Sequence, residues 1–389
     1  MINYGKQSIS SEDIKSVTDI LKSDFLTQGP CVPKFEDLFS QEVNSAYSTA
    51  VSSATAALHL ACLALGLKKG DQVWTSPNSF VASANCALYC GASVDFIDIS
   101  PLTFNIDINL LAIKLEEASK KNALPKIIIP VHFAGLSSDM QGIKDLSKKY
   151  GFSIIEDASH ATGGSYKENK VGSCQFSDIS VFSFHPVKII TSGEGGMLCT
   201  NNKKLDQKIK LLRSHGITKD ANEMLDKHSA DLPWYYEQHD LGFNFRLTDI
   251  QAALGISQLL RVQDFIHQRA TIASTYQKEL ADLPLQFQQQ SDDIYSAWHL
   301  FVVRVKSLNL NTREYLFRHL KENGIYCQIH YIPIPSQPYY KSLGFDIESF
   351  PNAKQYYQEC ISLPIYPDLN HENLNFVVKN IKNFFDKNQ

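Results

Sequence analysis

The sequence predicts an α/β protein in which a large domain with a mainly parallel central sheet is followed by a smaller α+β domain. Short runs rich in β-branched residues, such as Ile127-Ile128-Ile129 and Val94-Asp95-Phe96-Ile97, have the length and composition of strands covered on both faces. Amphipathic segments of helical length alternate with these runs through the first two-thirds of the chain. This alternation is typical of parallel strands joined by right-handed helical crossovers.

The elements of the large domain follow one another in a regular order. The first helix begins near Ser11 with a capping residue and two acids, and Ile14, Val17, Ile20 and Leu21 form its apolar face. The other predicted elements are, in chain order, a helix from Pro33 past Phe39, strand 73–75, helix 81–89, strand 94–97, helix 110–118, strand 127–131, helix 140–150, strand 153–156 and strand 179–182.

The pattern changes after residue 215. Residues 216–240 are polar and aromatic and predict a long loop, and an unusually long helix with a break follows over residues 248–280. The remaining order is strand 299–305, helix 312–323, strand 327–331 and two closing helices, which predicts an α+β module. We therefore expect a large domain over residues 20–250. The small domain would comprise residues 1–19 and 251–389, including the long connecting helix.

The composition excludes several classes of protein. The chain has 389 residues, and 37 Lys and Arg against 41 Asp and Glu give a formal net charge of −4. Because nucleic acids and anionic membranes are bound through a basic field, we expect neither as a partner. The N-terminus resembles no signal peptide, and the longest largely apolar stretch, residues 54–67, is shorter than the roughly 20 residues that span a bilayer. These features favour a cytoplasmic protein.

The eight cysteines indicate neither a metal site nor a disulfide framework. They form no CxxC pair and show no zinc-ligand spacing. Cys86 and Cys90 are four residues apart, where a helix places two small apolar residues on one face. Most of the others lie in apolar runs. We interpret them as small buried hydrophobic residues, and we expect no bound metal.

The most informative segment is SVFSFHPVKIITSGEGG, residues 180–196. Lys188 lies there between two apolar pairs, directly after a predicted strand and before a glycine-rich turn. Because apolar surroundings disfavour an ammonium ion, such a lysine has a lowered pKa and becomes a nucleophilic amine able to form a Schiff base. A solvated surface charge is the commoner role of a single lysine, so this segment alone does not decide the function.

Two further segments bring polar groups to the ends of predicted strands. In SIIEDASHA, Asp157 follows a buried strand at its carboxyl end, where open α/β sheets bind ligands. This aspartate either caps a turn or, together with Lys188, faces the ring nitrogen of pyridoxal phosphate and keeps it protonated. In SSATAAL, small residues open a helix whose N-terminus is either capped by its own side chains or binds a phosphate. The three segments together are more specific than any one.

With these segments in order, the chain resembles the DegT-type sugar-nucleotide aminotransferases, which are fold type I enzymes dependent on pyridoxal phosphate. The resemblance extends over essentially the whole chain, from LTQGP to ISLPIYPDLN. It is carried by SSATAALHLA, SPNSFVASAN, EDASHATG, FSFHPVKIITSGEGG and GFNFRLTDIQAALG. Within the family the likeness is greatest to the branch that works in pseudaminic acid biosynthesis, at FSFHPVK, RSHGITK, PWYYEQHDLGFNFR and GIYCQIHYIPI.

The resemblance implies roles for four residues around the cofactor ring. Lys188 is implied to be catalytic, forming the Schiff base with pyridoxal 5'-phosphate and moving the proton, with pyridoxamine phosphate as the intermediate form. Asp157 is implied to pair with the ring nitrogen, His160 to lie beside the 3-hydroxyl, and Phe80 to stack on the ring face.

The resemblance also implies contacts to the phosphate and to the sugar nucleotide. The phosphate would be held by the Ala54 and Thr55 N–H groups, the Ser183 hydroxyl and Asn244 of the partner subunit, so that the active site is shared within a homodimer. The implied sugar-nucleotide contacts are Tyr4, Asp24, Phe25, Leu26, Thr27, Gln328, Ile329, His330 and Tyr331. For these contacts, ordinary loop and strand residues are a serious alternative, because the sequence itself assigns them no chemistry.

The implied reaction is transamination with L-glutamate as the amino donor. In the branch of greatest likeness, the acceptor is the C4 keto group of UDP-2-acetamido-2,6-dideoxy-β-L-arabino-4-hexulose, and the product is UDP-4-amino-4,6-dideoxy-N-acetyl-β-L-altrosamine. An alternative is another UDP- or dTDP-linked keto sugar, aminated at C4 or C3, in surface polysaccharide biosynthesis. A different alternative is a regulatory homologue without catalysis, although the retained Lys188 and Asp157 argue against it.

Overall fold

The computed structural model describes residues 1–230, 232–306 and 311–387. Its strands are β1 (Ile2–Asn3), β2 (Tyr47–Val51), β3 (Gln72–Thr75), β4 (Ser93–Phe96), β5 (Ile127–Ile129), β6 (Ser153–Asp157), β7 (Ser165–Tyr166), β8 (Asn169–Lys170), β9 (Ile179–Ser183), β10 (Gly196–Thr200), β11 (Ile217–Thr218), β12 (Glu237–Gln238), β13 (Leu285–Phe287), β14 (Ile294–Tyr295), β15 (Phe301–Val305), β16 (Ile325–Tyr326) and β17 (Cys360–Leu363). Its α-helices are α1 (Ser11–Leu21), α2 (Cys31–Val43), α3 (Ala54–Ala64), α4 (Ala82–Tyr89), α5 (Ile108–Lys120), α6 (Met140–Tyr150), α7 (Lys203–Arg213), α8 (Asp249–Leu259), α9 (Val262–Glu279), α10 (Thr312–Glu322), α11 (Pro338–Ser342), α12 (Pro351–Glu359) and α13 (His371–Lys387).

A seven-stranded sheet forms the centre of the molecule, in the order β2-β10-β9-β6-β5-β3-β4. The pairs from β9 to β4 are all parallel, and β10 runs antiparallel to both of its neighbours. Every residue of β5 and β9 is buried, as strands covered on both faces require. The predicted α/β class with a mainly parallel sheet is confirmed.

The carboxyl edge of the sheet brings two predicted site residues close together. β6 ends at Asp157 and the parallel neighbour β9 ends at Ser183, so both side chains lie at the carboxyl edge of the sheet. The predicted order lacks several elements, and two of them are adjacent in the sequence. These are β10, whose run GMLCT contains no β-branched residue before its last position, and the following helix α7.

A second, antiparallel sheet of three strands, β13-β15-β17, lies in the C-terminal part of the chain. Helices α9, α10 and α13 contribute apolar side chains to its core, together with Ile2 of β1. The segment with α11 and α12 packs instead against the large sheet, where Tyr340 and Phe350 each lie 5.9 Å from the ring of Phe96. The division of the chain at residues 19/20 and 250/251 stays a prediction.

Three other expectations are resolved by the backbone. The predicted break in the long helix lies at Leu260 and Arg261, between α8 and α9. The segment 216–240, predicted as loop throughout, contains the short antiparallel pair β11–β12. The strand predicted over residues 327–331 is wrong. Pairing with β1 ends at Tyr326, and from there the chain is held by a single bridge between Gln328 and Ser362 while it turns toward the central sheet.

All eight cysteines are free, and five of them are buried. Among the helices described, none is at once long enough and apolar enough to cross a membrane.

Candidate active site

A cavity of about 520 Å³ opens at the carboxyl edge of the central sheet. Its walls come from the ends of β6 and β9, the N-terminus of α3 and the segment that follows β16. Ten of the predicted site residues line it, namely Tyr4, Ala54, Thr55, Phe80, Asp157, His160, Ser183, Lys188, His330 and Tyr331. Residues separated by more than 300 positions in the chain thus converge on one space.

Lys188 lies in the turn after β9, at the floor of this cavity. Its backbone N–H donates to His185 O at 2.9 Å, which closes the turn and directs the side chain inward. Burial lowers the pKa of the Lys188 ammonium to about 8, while the charge of Asp157 opposes that shift. About one tenth of a lysine with this pKa is an uncharged, nucleophilic amine at pH 7.

Asp157 is held by hydrogen bonds that leave one side of its carboxylate facing the cavity. Its Oδ1 accepts from Ser159 N–H at 3.2 Å, and its Oδ2 accepts from the Ser83 hydroxyl at 2.6 Å. Because the Ser83 proton is used on Asp157, the Ser79 hydroxyl donates to Ser83 Oγ at 2.7 Å. This chain of donors fixes the orientation of the Asp157 carboxylate.

The N-terminus of α3 forms the opposite end of the cavity. The N-cap Ser53 accepts from Ala56 N–H through its side chain, whereas the Ala54 and Thr55 N–H groups have no hydrogen-bond partner among the described residues. A Cβ at Gly196 would come within 2.6 Å of the Ser53 backbone, so only glycine lets β10 approach the helix this closely. Free N–H groups at a positive helix end form a site suited to a phosphate.

His160 is fixed by hydrogen bonds on both ring nitrogens. Its Nδ1 accepts from Ala134 N–H at 3.3 Å, in the tight turn Phe133–Gly135, so the ring proton lies on Nε2. Nε2 lies 3.1 Å from the hydroxyl of Tyr331. Burial, together with the nearby Lys188 and His330, lowers the pKa of His160 well below its usual range. The imidazole is therefore neutral at physiological pH.

Two further histidines face the same space. His330 is held by Ser362 through Nδ1 at 2.8 Å, and burial and the nearby Lys188 lower its pKa to about 3. His299 stacks obliquely on His160 with ring centroids 4.3 Å apart, and its buried Nδ1 has no hydrogen-bond partner within the described residues. Three neutral rings thus surround Lys188 without adding positive charge.

The remaining predicted residues lie outside the cavity wall. Asn244 is exposed, and its backbone forms a single antiparallel β-bridge with Ser214. Asp24, Phe25, Leu26 and Thr27 form an exposed segment that is tied to the start of α8, where Leu26 O accepts from Asp249 N–H. Gln328 is exposed and Ile329 packs into the apolar core. The roles that resemblance gives these seven residues stay predictions.

Several residues of the cavity wall were not predicted from the sequence, among them Ser79, Ser83 and His299. Ser79 and Ser83 lie within the segment SPNSFVAS, and no helical spacing links them, because Ser79 precedes α4 and only Ser83 lies in its first turn. Their link to Asp157 joins positions 74 residues apart, which no local pattern indicates. His299 lies in the segment AWHLF, and nothing in its neighbours distinguishes it from a buried core histidine.

A parallel sheet with a buried lysine, a carboxylate and a phosphate-type helix end at its carboxyl edge defines the class of enzyme that binds pyridoxal phosphate through a lysine. The model of the DegT/DnrJ/EryC1/StrS aminotransferase family matches residues 7–382. The chain belongs to this family and is a sugar aminotransferase.

Three similar proteins match this chain over nearly their full lengths. The UDP-4-amino-4,6-dideoxy-N-acetyl-beta-L-altrosamine transaminase of Campylobacter jejuni is 39% identical over 389 residues, which is 100% of this chain and 98% of the relative. The solved structure of Helicobacter pylori PseC, an aminotransferase involved in the biosynthesis of pseudoaminic acid, superposes with a TM-score of 0.90 at 31% identity and covers 99% of each chain. A chain from Streptococcus pneumoniae solved in its PLP form has a TM-score of 0.88 at 27% identity over 99% of each chain.

Pyridoxal phosphate is therefore the cofactor of this chain, and the cavity fits it. The N–H groups at the start of α3 and the Ser183 hydroxyl would hold the phosphate. Lys188 and Asp157 would meet the two ends of the ring, and Phe80, which is 58% exposed toward the open side, would cover one face. The described residues contain no cluster of side chains suited to a metal ion.

Proposed function

We propose that this chain transfers the amino group of L-glutamate to C4 of a UDP-linked 4-keto-6-deoxy sugar. The acceptor we propose is UDP-2-acetamido-2,6-dideoxy-β-L-arabino-4-hexulose, and the product is UDP-4-amino-4,6-dideoxy-N-acetyl-β-L-altrosamine. The observation that carries the proposal is the pairing of Lys188, whose pKa is lowered to about 8, with the fixed carboxylate of Asp157 across one cavity. The product named for the Campylobacter jejuni relative supports this choice of sugar.

The residues that line each side of the cavity have different roles in this reaction. The helix end at Ala54 and Thr55 and the Ser183 hydroxyl bind the phosphate and set the position of the ring. Asp157, oriented by its hydrogen bonds from Ser83 and Ser159, would pair with the ring nitrogen and favour its protonated form. The bound cofactor supplies a conjugated ring that accepts the electron pair released when a Cα–H bond breaks.

Lys188 supplies the acid–base chemistry. Its Nζ lies at the cavity that would hold the cofactor, and burial lowers its pKa to about 8. A group with this pKa can both take a proton from carbon and return it near neutral pH. The neutral rings of His160, His299 and His330 leave this proton transfer to Lys188, since none of them carries a competing charge.

Amino transfer to a panel of keto sugars tests the choice of substrate. The purified protein, loaded with pyridoxal phosphate and given L-glutamate, is assayed with UDP- and dTDP-linked 4-keto and 3-keto sugars of defined configuration. We expect the highest kcat/KM for the UDP-linked β-L-arabino 4-keto sugar, and mass and NMR analysis of the product to place nitrogen at C4. A higher kcat/KM for a dTDP sugar would contradict the proposed substrate, and no transfer to any sugar would favour a regulatory homologue.

We also propose that the active site is completed in a homodimer by Asn244 of the partner subunit. Asn244 is exposed on a segment that carries exposed apolar side chains, including Leu241 at 80% and Trp234 at 73% exposure. Such side chains favour burial against another protein surface, and a second copy of this chain meets that need by symmetry.

Complementation between two inactive variants tests the shared site. Lys188→Ala removes the reactive amine of its own site, and Asn244→Ala removes the amide that would reach the neighbouring one. When the two variants are mixed and allowed to exchange subunits, one site of each mixed dimer has both residues, so we expect activity to reappear. Light scattering of each variant gives the oligomeric state. Recovery that fails although mixed dimers form would contradict the shared site.

A further inference from the structure

Three cysteines come together where α3 packs against α4. Cys62 lies in the last turn of α3, Cys86 lies in α4, and Cys90 is the C-cap residue of α4. The thiol of Cys62 hydrogen-bonds with the thiols of both other residues. Cys62 and Cys86 are fully buried, whereas Cys90 is half-buried. Of the three cysteines in this cluster, Cys90 is therefore the one that a solute can reach.

The surroundings of Cys90 differ from those of a small buried hydrophobic residue. The Cys62 thiol and the imidazole of His59, which is one turn earlier on α3, stabilise a negative charge on the Cys90 sulfur. Together they lower the pKa of Cys90 to about 6, although partial burial acts in the opposite direction. Hydrogen bonds to Cys86 and Cys90, together with burial, raise the pKa of Cys62 well above its usual range. Near neutral pH, Cys90 is the thiolate and Cys62 keeps its proton.

The groups that surround this thiolate come from three elements. The titratable ones are His59 and Cys62 of α3, Cys86 and Tyr89 of α4, and Lys69 of the loop beside Gly91. His59 is buried, and its ring centroid lies 5.5 Å from that of Tyr89 and 4.9 Å from that of Phe243. These rings hold the imidazole in place beside the cluster. A histidine and a thiol donor next to a half-buried cysteine are typical of reactive protein thiolates.

We propose that Cys90 is a modification site, a nucleophilic thiolate that reacts with soft electrophiles and peroxides, and that Cys62 resolves its oxidised form as a disulfide. With hydrogen peroxide, the Cys90 sulfur attacks one oxygen, so that an S–O bond forms, the O–O bond breaks and hydroxide leaves. The Cys62 sulfur then attacks the sulfenic acid. An S–S bond forms, the S–O bond breaks, and the Cys62 proton leaves with the oxygen as water. The two sulfurs lose two electrons in all, and the peroxide gains them.

The bond would join two helices that both begin at the cavity. Ala54 and Thr55 of α3 and Ala82 and Ser83 of α4 line the cavity, and the cysteine pair lies at the opposite ends of these helices. Lys188 is not part of the cluster. Modification of Cys90 and attachment of the cofactor to Lys188 can therefore be measured separately, and the outcome does not depend on which sugar the protein aminates.

Alkylation of the native, cofactor-loaded protein by iodoacetamide tests the thiolate. Labelling is followed by peptide mass spectrometry between about pH 5 and pH 9. We expect Cys90 to react first, at a rate that rises through about pH 6 and then levels off. Cys31 is the matched control, because it is also half-buried but burial and Asp249 raise its pKa, so its labelling should be slow and still rising at high pH.

His59→Phe tests the source of the reactivity. The substitution keeps an aromatic ring against Tyr89 and Phe243 but removes the imidazole, so the inflection of Cys90 labelling should move upward by about one unit. Circular dichroism checks that the variant is folded. Cys90 that stays unlabelled in folded wild-type protein, or that is labelled with the slow, rising profile of Cys31, would overturn the proposal.

Peroxide treatment tests the role of Cys62. After a mild excess of hydrogen peroxide and blocking of the remaining thiols, we expect a peptide pair linked through Cys62 and Cys90 that dithiothreitol separates. Cys62→Ala should stop at a Cys90 sulfenic acid that dimedone traps, Cys86→Ala should keep the link, and Cys90→Ser should form none. A Cys90 sulfenic acid that persists in wild-type protein, or a link from Cys62 that still forms in Cys90→Ser, would contradict the assigned pair.

Discussion

Lys188→Ala is expected to reduce amino transfer by about 10⁴-fold, the upper end of what a general acid–base group contributes. The buried amine has two tasks that no neighbour can take over. Under the proposed function it attaches the cofactor, and it moves the proton between carbon atoms. The other basic groups around it are histidines whose pKa values are all lowered, so they are weak substitutes as proton acceptors.

The measurement pairs the rate with a covalent readout. Borohydride treatment of loaded wild-type protein should fix the cofactor to Lys188, as located by peptide mass spectrometry, and should fix none to Lys188→Ala. Lys148→Ala is the matched control, because Lys148 is an exposed lysine of α6 that pairs with Asp145 at the surface, and it should keep the wild-type rate. A Lys188→Ala protein that transfers nitrogen within tenfold of wild type would refute the assigned role.

His132→Ala is expected to destabilise the protein by about 3–5 kcal/mol, the cost of leaving a buried charge without its partner. His132 is fully buried, and its Nε2 lies 2.9 Å from Oε2 of the buried Glu156. Ser138 N–H donates to Nδ1, so the ring proton lies on Nε2 and points at the carboxylate. The Ser177 hydroxyl donates to the other carboxylate oxygen and would remain after the substitution, but it does not reach Oε2.

The pH dependence distinguishes this mechanism from a simple loss of packing. Burial raises the pKa of Glu156, but the hydrogen bonds from His132 and Ser177 outweigh it, so the folded-state pKa is lowered. This contribution is present above the unfolded-state pKa of about 4.3 and is lost as the pH falls through the lower folded-state value. In His132→Ala the buried carboxyl has a raised pKa and becomes neutral on acidification, so the difference from wild type should shrink.

Urea unfolding at pH 7 and pH 4.5 measures both effects. Lys15→Ala is the control, since it removes an ion pair with Asp19 at the surface, where exposed pairs contribute little. We expect a large loss of unfolding free energy at pH 7 only for His132→Ala. A loss of the same size at both pH values would show that cavity formation, not the unpaired carboxylate, is the cause.

The sequence predicted the parts of the site that have a local signature. Lys188 is marked by its apolar neighbours and glycine-rich turn, Asp157 by its place after a buried run, and the phosphate end of α3 by its small residues. The sheet followed from short apolar runs whose β-branched composition is typical of buried strands. In each case the physical cause lies within about ten residues of the chain.

The parts of the site and of the fold that the sequence did not predict depend on contacts between distant segments of the chain. Ser83 reaches Asp157 across 74 positions, and Tyr331 reaches His160 across 171, so neither partner alters the local pattern of the other. The strand expected over residues 327–331 had suitable apolar alternation. It failed because Tyr356 and Ser362 hold His330 out of any ladder, which brings Tyr331 into the cavity. The tautomer of His160 follows only from the backbone of Ala134.

Transfer of isotope-labelled nitrogen tests the central claim most directly. The loaded protein is incubated with ¹⁵N-labelled L-glutamate and UDP-2-acetamido-2,6-dideoxy-β-L-arabino-4-hexulose, and the sugar is analysed by NMR for carbon–nitrogen coupling. We predict that ¹⁵N becomes bonded to C4 of the sugar with wild-type protein and stays in glutamate with Lys188→Ala. Protein that binds the cofactor through Lys188 yet leaves all ¹⁵N in glutamate, or delivers it to another sugar carbon, would contradict the proposed function.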